Sequence, residues 1–107
     1  MSILCFGSKV SGDDLAWRVG DVLGFKNSNN VHELKNGDVV VDVVWGLSDV
    51  RFVKLNELKS HKAVSVHDFD LGTYLRLMKG ILKVKVIGIP KNYELINAVE
   101  KVKELLE

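Results

Sequence analysis

The feature that most constrains this chain is the run from Asp38 to Val44, which is valine at every position except Asp38 and Asp42. Branching at Cβ restricts χ1 and favours extended backbone. The run is apolar on both of its alternating faces, so it suits a central strand covered on both sides rather than one with a wet face. That is the signature of an α/β domain. It predicts a three-layer sandwich, with a mostly parallel, twisted sheet and helices on both faces.

The rest of the chain fits that frame. At 107 residues, 47% of them hydrophobic, it is expected to form a single domain over 1–107 with a core that needs no disulfide. Net charge is +1, with acids and bases interspersed. No basic stripe points to nucleic acid, and none points to a lipid surface. Cys5 is the single cysteine, set in the apolar run Ile3-Leu4-Cys5-Phe6, so it reads as a small buried hydrophobe. There is no basic, apolar leader at the N-terminus and no apolar stretch of about 18 residues. The expectation is a soluble, cytoplasmic protein with no membrane contact.

Along the chain, Ser2–Phe6 reads as a short buried strand. Ser11 then caps a helix bearing Leu15, Val19, Val22 and Leu23, with Asp14 three residues beyond the cap and Gly24 as its stop. Asn27–Asn30 predicts a turn, Val31–Leu34 a short strand, and Asn36-Gly37 a tight turn. Val50–Leu55 reads as an edge strand and Lys62–Val66 as another short strand. A helix with Leu71, Tyr74, Leu75 and Met78 ends near Gly80. Lys83–Ile89 predicts the last strand, stopped by Pro90. Asn92 then caps a helix whose apolar stripe is Leu95, Ile96, Val99, Val102, Leu105 and Leu106.

Three residues stand out against this background: Asp14, Asp42 and His67. Each falls at or beyond the end of an apolar run. In an open α/β sheet, the carboxyl ends of the strands open on one crevice, where ligands bind. Two carboxylates and an imidazole there make a donor set for a divalent transition metal. Each residue also has a plainer reading. Asp13 and Asp14 suit the first turn of a helix, where acids complement the dipole, and one can cap while the other faces the crevice. His67 can be a packing or surface histidine. Asp42 is harder to explain that way, because an acid among valines needs a hydrogen-bonding or cationic partner. Gly7-Ser8-Lys9 lacks the spacing of a phosphate loop, and Asp13 and Asp14 would repel a phosphate at that helix start.

Taken together, these segments resemble the nickel–iron hydrogenase maturation endopeptidases. The resemblance is carried by Ile3-Leu4-Cys5-Phe6-Gly7, Ser11-Gly12-Asp13-Asp14 with Arg18-Val19, Val39-Val40-Val41-Asp42 with Gly46, Val66-His67, and Val86-Ile87-Gly88-Ile89. It implies an enzyme that removes a C-terminal extension from the hydrogenase large-subunit precursor once nickel has been inserted. It also implies that Asp14, Asp42 and His67 bind that nickel, which belongs to the substrate. Imidazole and carboxylate suit Ni(II), and three ligands leave positions open for substrate groups. Neither Ser8 nor Ser65 is paired with a base, so a serine nucleophile is disfavoured.

The chain departs from the family pattern in two ways. The family shows Gly-x-Gly-Asn after the first strand, where this chain has Gly7-Ser8-Lys9. It is also shorter, around residues 24–38 and 44–62. These departures imply an alternative: a shortened, non-proteolytic relative that binds a metal centre or a partner protein. A phosphoacceptor receiver domain also uses paired acids on an α/β fold. Here the acid pair begins seven residues beyond Phe6, too far for that geometry.

Overall fold

The valine run becomes β3 (Val39–Val43), the middle strand of a five-stranded sheet with order β2-β1-β3-β5-β4. The computed structural model describes residues 2–7, 14–54, 75, 78 and 80–107. Within them the chain runs β1 (Ile3–Phe6), α1 (Leu15–Leu23), β2 (Lys26–Ser28), a 3₁₀ turn (Val31–Glu33), β3, β4 (Arg51–Val53), β5 (Lys85–Ile89) and α2 (Leu95–Leu106). β1 pairs in parallel with β2 and β3, and β3 in parallel with β5. Only β4 runs antiparallel, on the outer side of β5. The fold is therefore α/β on an open, mostly parallel sheet, as the sequence predicts.

Both faces of β3 are covered, and its residues sort by strand alternation. Val39, Val41 and Val43 join Cys5, Ile87 and Ile89 beneath Leu15, Ala16 and Val19 of α1 and Ala98 and Val102 of α2. Val40 faces the other way, with Leu4, Phe6, Val86, Val53, Leu34 and Leu75. Each fully buried valine contributes about 1.5–3 kcal/mol by removal from water, so β3 anchors both layers. α1 and α2 pack on the first face. The strand expected at 62–66 lies outside the described residues, as does most of the helix expected to end near Gly80, of which Leu75 is described and buried in the second-face core.

Several expected boundaries move, each for a local reason. α1 starts at Leu15 with Asp14 itself as N-cap, so Asp14 stands outside the helix rather than three residues into it. Gly24 ends α1 as expected, at φ +79 with its N–H on the Gly20 carbonyl. Residues 26–28 form an edge strand instead of a turn, because the free side of β1 is paired and the polar side chains find partners. Asn27 Nδ2 donates to the Trp17 carbonyl at 3.2 Å and to Asp21 Oδ1 at 2.9 Å. The Ser28 hydroxyl and Lys26 both donate to Glu33. Residues 31–33 form a 3₁₀ turn instead of a strand. Asn30 Oδ1 accepts from the His32 N–H at 3.0 Å, and this cap overrides the valine's preference for extended backbone.

The Asn36-Gly37 turn is present, held by Asp38 N–H donating to the Lys35 carbonyl at 3.1 Å. At the far end, α2 begins at Leu95 behind Glu94 rather than at Asn92, which sits in a left-handed turn at φ +65. The buried centre of α2 is Ala98 and Val102, whereas Ile96 is 67% exposed. Val22 of α1 likewise faces solvent. No helix among the described residues is long and apolar enough to cross a membrane.

Candidate functional site at the carboxyl ends of the strands

Parallel pairing brings the carboxyl ends of β1, β3 and β5 to one edge of the sheet. Asp42 is the penultimate residue of β3 and is 2% exposed. Alternation turns its side chain to the same face as Val40. Its Oδ1 accepts the N–H of Val43 at 2.9 Å. A carboxylate this buried keeps its charge only through such hydrogen bonds and nearby cations. Its negative charge reaches the other face. The thiol of Cys5 is pushed up to about 12, first by burial and then by the charges of Asp21 and Asp42.

The strand neighbours of Asp42 give the site its shape. Gly88 of β5 is its register partner, and Arg51 of β4 is in turn the partner of Gly88. Arg51 shares the face of Val53, so one row across the sheet reads Asp42, Gly88, Arg51. One step lower, the row is Leu4, Val40, Val86 and Val53, entirely apolar. Polar character on this face is thus concentrated at the carboxyl edge. Arg51 is exposed, and its Nη1 donates to the Phe52 carbonyl at 3.2 Å.

The segment after β3 is tied to the segment after β5 at several points. Val44 N–H donates to the Ile89 carbonyl at 2.9 Å. Lys91 Nζ lies 3.3 Å from the ring centroid of Trp45, a close cation–π contact. The Tyr93 hydroxyl donates to Asp49 Oδ1 at 2.9 Å, with Lys101 Nζ 3.9 Å from Asp49 Oδ2. The Val50 N–H, first, and the Tyr93 hydroxyl, second, hold the Asp49 carboxyl below the usual carboxylate range. These ties link residues 44–50, which follow β3, to the segment after β5 and to α2.

Of the three expected metal ligands, two lie in the described structure. Asp14 stands half-buried at the start of α1, and its side chain makes no capping hydrogen bond. The capping role that acids often fill at this position is thus not what this side chain does. Asp42 lies at the carboxyl edge of the central strand. His67 falls outside the described residues, as do Asp13, Ser8, Lys9 and Ser65. Among the described residues, no three His, Cys, Asp or Glu side chains cluster as a metal would require.

The sequence reading missed the Trp45–Lys91 and Asp49–Tyr93 ties, which carry no local signal. Gly88 did carry one, since a glycine inside a strand marks close approach by other atoms.

At the opposite, amino-terminal edge lies an open cavity of about 750 Å³, bordered by Asp38, Ile81, Lys83 and Lys85. Asp38 is structural there. Its two carboxylate oxygens accept the N–H groups of Ser2 at 3.0 Å and Lys35 at 2.9 Å.

Among solved structures, the chain is similar to the hydrogenase maturating endopeptidase HybD from E. coli, with a TM-score of 0.64 at 13% sequence identity. That likeness covers 99% of this chain and 92% of the other, and at this identity it is a likeness of fold. No protein-family model and no curated protein sequence matches the chain.

Proposed function

We propose that this single-domain chain is a cytoplasmic endopeptidase of hydrogenase maturation. It removes the C-terminal extension of a nickel-loaded large-subunit precursor, and Asp14, Asp42 and His67 bind the nickel carried by that substrate. The observation that carries this reading is the buried carboxylate of Asp42 at the carboxyl edge of the central strand. It sits in a fold that matches a hydrogenase maturating endopeptidase over nearly its whole length.

The donor set suits the ion. Carboxylate oxygen and imidazole nitrogen bind Ni(II) and leave coordination positions for the substrate's own groups. When bound, the metal supplies Lewis-acid polarisation of a nearby carbonyl. The chain's part is to hold the centre still at the sheet edge, so that the scissile peptide meets water in one orientation.

The test is to incubate the purified chain with a nickel-loaded large-subunit precursor and follow its mass. Loss of the C-terminal peptide is expected, and a parallel reaction on nickel-free precursor should leave the mass unchanged. An intact cognate precursor after prolonged incubation would count against proteolysis.

A second reading is favoured by Ser8-Lys9 after the first strand and by the shorter segments around residues 24–38 and 44–62. In that reading the chain is a shortened, non-proteolytic relative that binds a metal centre or a partner protein. It expects nickel-dependent association with the precursor at unchanged precursor mass, lost on His67→Ala.

A further inference from the structure

We infer that Leu47 is a positioning residue for Asp42, seated in the side-chain space that Gly88 leaves open and shielding the strand-end carboxylate from water. This rests on the reading above that Asp42 is a nickel ligand.

Asp42 and Gly88 are register partners on parallel strands, so their side-chain positions stand side by side, about 5 Å apart. A Cβ built on Gly88 would lie 2.6 Å from Leu47 Cδ1, 3.0 Å from Val53 Cγ1 and 3.1 Å from Val44 Cγ2. The tip of Leu47 therefore lies over Gly88 at the level of Asp42, and a methyl on Gly88 would force it to shift. Leu47 is itself half-buried, packed against the second-face core. The ties of Trp45 to Lys91 and of Asp49 to Tyr93 flank it in sequence.

The consequence is chemical. The apolar shell around a metal ligand controls water access and local dielectric, and so the strength of the carboxylate–cation attraction. With Leu47 in place, Asp42 is screened from water on its β5 side, in keeping with its 2% exposure.

The experiment titrates nickel(II) chloride into the full chain by calorimetry, with thermal melts run alongside. Leu47→Ala should weaken nickel binding about 10-fold, the scale seen when groups around metal ligands are removed. Leu47→Ile should restore it. Gly88→Ala should also weaken binding, because its new methyl displaces Leu47. Adding Leu47→Ala to Gly88→Ala should recover part of the loss, since the methyl then fills the vacated space. A purely structural contact would move the melting temperatures of these variants and leave nickel affinity unmoved, which overturns the inference. Two failures are separable. Wild-type affinity in Leu47→Ala beside lost affinity in Asp42→Asn defeats Leu47 alone. A wild-type chain that takes up no free nickel overturns the inference about Leu47, while the reading of Asp42 as a ligand to substrate nickel is tested separately by cleavage of the nickel-loaded precursor with Asp42→Asn.

Discussion

Tyr93 donates its phenolic hydrogen to Asp49 Oδ1 at 2.9 Å, and this contact joins the segment after β5 to the segment after β3. The bond sets two opposite pH dependences. It lowers the Asp49 carboxyl, though less than the Val50 N–H does, and it is the first cause that raises the Tyr93 phenol. A lowered carboxyl stabilises the fold above its unfolded pKa, and that contribution fades as pH falls through the folded value, below about 4. A raised phenol stabilises the fold below its unfolded pKa of about 10, and that contribution fades as pH rises through the folded value. Tyr93→Phe deletes the hydroxyl and keeps the ring. The melting-temperature gap between wild type and this variant should be widest from mildly acid to mildly alkaline pH and should close at both extremes. The gap is expected to be small, because both groups are at the surface. A gap of constant size across that range means the hydroxyl makes no such bond.

Gly20 shows why helix propensity alone misjudges a site. Replacing a mid-helix glycine by alanine normally gains about 1 kcal/mol. Here the new Cβ would lie 2.3 Å from Asn27 Oδ1 and 2.9 Å from Cys5 Sγ. Neither neighbour yields easily. Asn27 is held by Trp17 and Asp21, and Cys5 is wholly buried in the first-face core. Overpacking of this kind costs about 1–3 kcal/mol, so the clash should win. Gly20→Ala is expected to lower the urea midpoint, and an unchanged or raised midpoint would show that α1 shifts to accommodate the methyl.

Cys5 should be chemically silent in the folded chain. Its thiol is fully buried and pushed up to about 12, chiefly by burial. Thiolate is the reactive form, so at pH 8 a thiol reagent should modify Cys5 only after denaturant is added. Stability should also decline as pH rises above about 8.5, where the unfolded thiol ionises and the folded one does not. Rapid labelling of the native protein would contradict the burial of β1.

Much of the fold was legible because its signals are local and redundant. Val39–Val43 is apolar at both periodicity positions, and the two faces it serves both exist. Gly24 stops α1, and Pro90 follows β5. What the sequence obscured was decided by neighbours. Lys26–Ser28 has no strand propensity, yet it pairs with β1 because an open ladder beside Cys5 would leave backbone groups unpaired. Val31 prefers extended backbone, but the Asn30 cap bends it into a turn. At the candidate site, Asp42 was readable as an acid where acids are costly. Leu47 was not, because its place over Gly88 depends on a register linking residues far apart in the chain.

Asp42 itself gives the sharpest contrast between structure and function. Its Oδ1 accepts the Val43 N–H. Asparagine keeps an acceptor of the same shape and removes the charge. Alanine removes both and leaves a buried N–H without its side-chain partner, at a cost of about 1–3 kcal/mol. Asp42→Ala should therefore lower the urea midpoint clearly more than Asp42→Asn. Nickel binding should follow a different order. If the carboxylate is a ligand, losing it should cost more than the roughly 10–100-fold typical of changes one shell further out. Asparagine and alanine should then be nearly equal in lost affinity despite their unequal stability. Calorimetric titration of both variants with nickel(II), beside their urea curves, checks this. An asparagine variant that binds nickel as tightly as wild type would leave Asp42 a structural residue at the end of a strand.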